Sequence, residues 1–273
     1  MIPPPSIRAD PWAELRRHTS ARIALGRCGG SLPTAAVLAF AIDHAQARDA
    51  VHAPFDPELL TGALESHGVP LLHLASRAAD RRSYLLRPDL GRRLDNDSAA
   101  RCAQAAPVPA PDIAVVIGDG LSATAAHAQV PGLLEILLPL LRADGFHLAP
   151  LSLVRFARVA VADEVGALLG ARLTILLVGE RPGLGTPDSL GAYLTWGPRL
   201  GRPDSERNCV SNIRPAGLPW TDAAHTIAWL AREALRRGLT GTGLKDERQR
   251  LRAGESSHDP AGTARITPAS PPS

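Results

Sequence analysis

Lysine is all but missing from this chain. Of its 30 basic residues only Lys245 is a lysine, and the other 29 are arginines. Against 27 acidic residues they leave a formal net charge of +3. A dedicated nucleic-acid binder carries a larger, clustered positive excess, so that class is disfavoured. Arginine in place of lysine, with abundant Ala and Pro, is what a GC-rich coding bias produces. Aromatic residues make up only 4% of the chain. A core built on large rings is therefore excluded, and Ala, Leu, Val and Ile must fill it. There are three cysteines, Cys28, Cys102 and Cys209, far apart and without a C-x-x-C pair. Their odd number and spacing argue against a disulfide framework and a thiolate-rich zinc site, and fit a reducing compartment. Met1 to Asp10 is proline-rich and has no apolar h-region, so no signal peptide is expected. The most apolar central stretch, Leu133 to Leu141, is about half the length of a bilayer span and contains Pro139. These absences together predict a soluble cytoplasmic protein.

What is present points to a globular chain. Apolar residues are 45% and charged residues 21%, which rules out wholesale disorder. A length of 273 residues suffices for one generous domain or two small ones. Asp10-Pro11 reads as a helix start, with Trp12, Leu15 and Ile23 on one face to about Leu25. A second helix opens at Pro33-Thr34, with Val37, Leu38, Phe40, Ala41 and Ala45 as its apolar stripe. Pro57 to His67 and Ser98 to Ala105 are further helices. Tyr84 to Asp89 reads as extended, because the residue before Pro88 avoids the helical region. Pro107, Pro109 and Pro111 form the clearest linker.

Beyond the linker the pattern alternates. Ile113 to Ile117 is a short apolar run rich in β-branched residues, as in a buried parallel strand. Helices follow at Leu121 to Ala128 and at Pro131 to Asp144, the second kinked at Pro139. Strands are expected at Leu151 to Val154, Val159 to Val161, Leu173 to Val178 and Cys209 to Ile213. Asp163 to Leu169 and Thr221 to Arg237 are helices, the latter capped by Thr221 and ended at Gly238. This alternation predicts an α/β fold. A mostly helical N-terminal region (1–107) precedes a Rossmann-like parallel-sheet domain (108–246), and a disordered tail (247–273) follows.

Ligands of open parallel sheets bind beyond the carboxyl ends of the strands. Three loops qualify. Gly118-Asp119-Gly120-Leu121-Ser122 is either a tight strand-to-helix turn or an anion cradle at a helix N-terminus. It misses the dinucleotide fingerprint, because Ala123 stands where a third glycine is needed. Glu180, in Gly179 to Gly185, is either a surface carboxylate paired with Arg181 or an acceptor for a ligand's amides or hydroxyls. Cys209, in Arg207 to Asn212, is a small core residue or a nucleophile. No G-x-S-x-G elbow, Walker loop, H-x-x-x-H or H-E-x-x-H occurs. The D-x-H-x-x-G signature of cobalamin domains that swap the axial base for histidine is missing too. No catalytic set emerges.

Ordered blocks from about Leu15 to Asp246 nevertheless carry a resemblance. They include Thr19 to Arg27, Phe40-Ala41-Ile42-Asp43-His44-Ala45, Tyr84-Leu85-Leu86-Arg87-Pro88-Asp89-Leu90-Gly91-Arg92 and Asp119-Gly120-Leu121-Ser122. Val154 to Val159, Gly179-Glu180-Arg181-Pro182-Gly183-Leu184, Asp188 to Tyr193, Arg207-Asn208-Cys209-Val210-Ser211-Asn212-Ile213 and Leu244-Lys245-Asp246 complete them. On these blocks the chain resembles the small (light) subunit of ethanolamine ammonia-lyase. The resemblance implies adenosylcobalamin as cofactor and a TIM-barrel large subunit as partner, in a hetero-oligomer whose large subunit holds substrate and catalytic residues. It implies that the small subunit caps base-on cobalamin at the interface, with contacts at positions matching Val159, Glu180 and Cys209. Corrin edges carry amides, so Glu180 would accept amide N–H groups, Val159 would offer backbone and an apolar contact, and Cys209 would be a small neighbour. The compartment implied is the cytoplasm or a bacterial microcompartment; the long N-terminal extension of some members is absent, which counts against packaging through this subunit. Two other readings remain open here: a free-standing nucleotide-binding enzyme using Gly118, Gly120 and Glu135, and a purely structural partner of a barrel.

Overall fold

The computed structural model describes residues 7–247. The expected tail lies outside the described residues from position 248 onward. Six strands form one sheet: β1 (Leu71–Ala75), β2 (Ile113–Gly118), β3 (Leu151–Arg155), β4 (Leu173–Gly179), β5 (Leu190–Trp196) and β6 (Asn208–Ile213). Their order is β1-β3-β2-β4-β5-β6. The first four in that order run parallel, while β5 and β6 add an antiparallel flank. The sheet is therefore mixed, not purely parallel. Seven α-helices accompany it: α1 (Thr34–His52), α2 (Pro57–Leu64), α3 (Arg81–Leu86), α4 (Asn96–Gln104), α5 (Ala123–Ala143), α6 (Val161–Leu168) and α7 (Trp220–Arg237).

The continuous apolar runs of β2 and β4 follow from burial on both faces. Ile113, Val115 and Ile117 of β2 join Leu173, Ile175 and Leu177 of β4 on one face, covered by α2, α5 and α7. Ala114 and Val116 join Leu176 and Val178 on the other, under α4 and α6. Few rings are needed, because Leu, Val, Ile and Ala interdigitate there. β1 comes from before the proline linker, and Phe55, Leu60, Leu64, Leu74 and Cys102 share the two cores with the later strands. The expected division at 107/108 thus falls inside a common core.

Several local expectations are corrected. The first helix shrinks to a 3-10 turn at Ala13–His18, leaving Trp12, Leu15 and Ile23 exposed. Tyr84 to Leu86 lies in α3, because Asp80 caps that helix by accepting the Ser83 N–H at 2.7 Å. Val159 to Val161 is a turn entering α6. Thr221 is inside α7, which starts at Trp220 after Pro219. β5 has no counterpart in the sequence reading, since Gly191 interrupts its alternation. The two helices expected either side of Pro131 are one, with Pro131 and Pro139 both inside α5. Burial of Leu133, Leu134, Leu137, Leu138 and Leu141 against the sheet offsets the roughly 3 kcal/mol that an interior proline costs. By length and composition α5 could cross a membrane, but its apolar side belongs to this core. α1 is the exception to burial. Only Ala50 is buried on it, and Val37, Leu38, Phe40 and Ile42 of the apolar surface face outward.

The turn after β2 is clamped against the end of β4. A Cβ at Gly179 would overlap the carbonyl oxygens of Ser122 and Asp119, and one at Gly120 would overlap that of Gly179. Gly120 also sits at φ +56°, in the left-handed region. Gly179→Ala is expected to cost about 1–3 kcal/mol, the usual range for overpacking. Gly30→Ala, with open space around it, serves as the control. Urea unfolding reads both, and a Gly179→Ala midpoint matching the control would show that the clamp yields.

Candidate functional site

The loops after β2, β3 and β4 meet at the carboxyl end of the parallel strands, where an α/β sheet offers a crevice. Two adjoining hollows open there. One, of about 410 Å³, is lined by Tyr84, Gly120, Arg158, Val159, Glu180 and Tyr193, among others. The other, of about 330 Å³, is lined by Arg92, Arg158, Val159, Tyr193, Asp204 and Cys209, among others. Val159 borders both, Glu180 the first and Cys209 the second. The structure thus brings all three sequence-derived candidates to one rim.

Glu180 is not paired with Arg181. Its Oε2 accepts the Ser189 hydroxyl at 2.6 Å and the Asn212 N–H at 3.2 Å. Its Oε1 accepts the Ser211 hydroxyl at 2.5 Å. One carboxylate therefore joins the end of β4 to β5 and β6. A carboxylate has about four acceptor positions, so Oε1 retains one. The carbonyl of Val159 accepts the Ala162 N–H at 3.3 Å, while its own N–H has no acceptor among the described residues. Cys209 lies opposite Tyr193 in the β5–β6 pair. Partial withdrawal from water raises its thiol pKa, and the Tyr193 hydroxyl offsets this only in part. A raised pKa disfavours the thiolate, so Cys209 is poorly set as a nucleophile.

The floor of the crevice is a buried polar cluster. Asp119, 1% exposed, accepts the Ala157 N–H at 2.9 Å and faces Arg81 at 3.3 Å. Arg81 also donates to the carbonyls of Gly120 at 2.8 Å and Val51 at 2.6 Å. Tyr84, fully buried, donates its hydroxyl to the Ala157 carbonyl at 3.0 Å. The guanidinium groups of Arg158 and Arg81 lie 4.2 and 4.8 Å from its ring centre. Sequence reasoning missed Tyr84, Arg158 and Tyr193 as site residues. Their only signal was membership of the ordered blocks around them.

The Gly118 to Ser122 loop is a turn, not a free anion cradle. The Leu121 N–H donates to Gly179 at 3.0 Å and the Ser122 N–H to Asp119 at 3.2 Å. Ser122 caps α5 by accepting the Ala125 N–H at 3.1 Å, and donates its hydroxyl to Pro187 at 2.7 Å. Glu135 is exposed midway along α5 and lines neither hollow. The geometry a nucleotide site needs is thus not formed by these residues. No group of three potential metal ligands occurs among the described residues. A larger hollow of about 710 Å³ lies between α1, the chain before it and the Leu184 to Thr186 loop. Its only acid, Asp43, is tied to Arg22.

Burial raises the Asp119 carboxyl from 3.8 to about 6, against the opposing pull of the Ala157 N–H and Arg81. Between those two values the folded chain binds a proton that the unfolded chain lacks. The contribution of Asp119 to stability therefore falls as pH rises from about 4 to about 6, and is level above that. Subtracting the pH profile of Asp119→Asn from that of the natural chain, both from urea unfolding, is expected to isolate this fall. A difference that is flat or rises over that window would refute it.

Comparison with known proteins matches most of the chain. A family model described as the ethanolamine ammonia-lyase light chain matches residues 9–245. The ethanolamine ammonia-lyase small subunit of Azotobacter vinelandii is 56% identical over 240 residues, covering 87% of this chain and 89% of that protein. That of Bradyrhizobium diazoefficiens is 54% identical over 244 residues, covering 89% and 93%. That of Xanthomonas campestris is 51% identical over 252 residues, covering 92% and 93%. With a match of this extent, the chain belongs to the ethanolamine ammonia-lyase light-chain family.

Proposed function

We propose that this chain is the small subunit of an adenosylcobalamin-dependent ethanolamine ammonia-lyase, the enzyme that converts ethanolamine to acetaldehyde and ammonia. In this reading it works in the cytoplasm, and its Rossmann-like sheet caps base-on cobalamin at the interface with a TIM-barrel large subunit. The observation that carries the reading is the convergence of Val159, Glu180 and Cys209 on one open rim. Family membership supports the reaction and the partner.

The residues present suit a corrin edge. Its side-chain amides offer both N–H donors and carbonyl acceptors. The free N–H of Val159 suits an amide carbonyl, and the remaining position on Glu180 Oε1 suits an amide N–H, strengthened by the negative charge. Cys209 leaves room beside them without bringing a competing charge. When bound, the cofactor would supply the radical through its cobalt–carbon bond. This chain's residues would bind and orient the ring and help keep water from it. The hollows contain no nucleophile–base pair to act on substrate, so catalytic residues are assigned to the large subunit. The outward apolar surface of α1 is of a kind that a partner subunit covers.

Co-expression with the large subunit is expected to yield a complex that shows the absorption spectrum of bound cobalamin. In Glu180→Gln the remaining oxygen still accepts from Ser189 and Asn212, and the new NH2 donates to the Ser211 hydroxyl in place of Oε1, so the strand ties persist while the charge and the spare acceptor are lost. The substitution is expected to weaken adenosylcobalamin binding by the complex about fivefold or more, as loss of a charge-assisted bond does. Unchanged affinity and turnover would favour a purely structural partner. The purified chain alone is expected to release no acetaldehyde from ethanolamine, and measurable release would overturn the division of labour.

A further inference from the structure

We propose that the hollow beside Val159 and Cys209 is a phosphate pocket, in which Arg92 and Arg158 hold the phosphodiester of the cobalamin nucleotide tail. This rests on the cobalamin reading above. Four charged side chains line that hollow: Arg92, Arg158, Arg207 and Asp204. Arg207 and Asp204 belong to one ion-pair cluster with Asp163, in which a single guanidinium meets two carboxylates. Arg207 is bound at 2.6 and 2.7 Å by both oxygens of the buried Asp163, and by Asp204 at 3.2 Å. Its remaining N–H groups go to Thr195 at 3.0 Å and the Arg202 carbonyl at 2.9 Å. Arg207 thus has nothing left for a ligand.

Arg92 and Arg158 are different. Neither has a carboxylate within ion-pair distance among the described residues. The acid near Arg92, Asp89, is engaged by Arg87 at 2.9 and 2.7 Å. Arg158 donates from Nη2 to the Tyr84 carbonyl at 3.1 Å. Its Nη1 has no acceptor among the described residues and, unlike the equally unpartnered Nε, is not shut off from solvent. A guanidinium with unused donors is suited to an anion with several oxygens.

The two arginines are also held in place before any ligand arrives. The Arg158 N–H donates to the Gly91 carbonyl at 2.8 Å, which fixes it beside Arg92. No side chain fits at Gly91, where a Cβ would press on Arg158 and on the Phe156 carbonyl. Stacking on Tyr84 restrains the Arg158 guanidinium, so little side-chain freedom is lost on binding. The ligand chemistry follows from the charge. Corrin edge groups are neutral amides, and the phosphodiester is the one anionic group on the periphery of cobalamin. A hollow with two arginines free of ion pairs among the described residues, next to groups suited to amides, would suit a ligand that carries both kinds of group.

The test compares two probes on the complex with the large subunit, by visible absorption titration. Hydroxocobalamin carries the phosphodiester; cobinamide has the same corrin without the tail. Arg92 is exposed, so Arg92→Gln leaves the fold intact. It is expected to weaken hydroxocobalamin binding about five- to tenfold, and cobinamide binding less than about twofold. An equal loss for both probes, or no loss for either, overturns the phosphate assignment while leaving the cobalamin reading in place. Failure of the natural complex to bind either probe sinks the cobalamin reading itself.

Discussion

A carboxylate with no access to water, Asp119, sets the geometry on which the crevice depends. It sits where β2 ends, and it must be satisfied from within, since an unpaired buried charge is very costly. Ala157, after β3, supplies one donor and Arg81, on α3, supplies another. Arg81 then reaches the Gly120 carbonyl and the end of α1. Through these bonds one side chain aligns two strand ends and two helices. The glycines at 118, 120 and 179 allow the backbones to come this close. The rim that carries Val159 and Glu180 is built directly on top.

A second set of ion pairs fixes the other wall. Arg207 and Asp163, both almost wholly buried, bind in bidentate fashion between α6 and the entry to β6. Glu164, beside Asp163, holds Arg93 through two bonds of 3.0 Å and accepts the Leu94 N–H at 2.8 Å. Buried pairs of this kind are weak sources of net stability, but losing one partner leaves a stranded charge. Their effect here is positional. They set α6, the Arg92 segment and the start of β6 against one another, and the hollow between them is what remains.

Legibility from sequence followed the physics of each segment. β2 and β4 were plain because burial on both faces makes them continuous apolar runs. α7 was plain because one face alone is buried, giving period 3.6. β1 and β5 were not. His73 breaks the apolar pattern of β1, and Gly191 that of β5. Pro131 misled because local propensity yields to packing when a helix is clamped into a core. The α1 stripe was found, yet periodicity says which residues share a face and not whether anything covers it. Within the site, Glu180 and Cys209 were legible as strand-end residues. Arg158, Tyr84 and Arg207 were not, because their roles come from segments distant in sequence. An arginine-rich chain gives no local hint as to which guanidinium is buried.

The threefold anchoring of Glu180 has a consequence for how this site can change over time. The carboxylate that would meet a ligand is also the knot between β4, β5 and β6. A drift in what the rim recognises would have to come from its neighbours, because any replacement of Glu180 that cannot bond Ser189, Ser211 and Asn212 loosens three strands at once. Residues such as Arg92 and Cys209, which bear no such double duty, are where specificity can be retuned without refolding the scaffold.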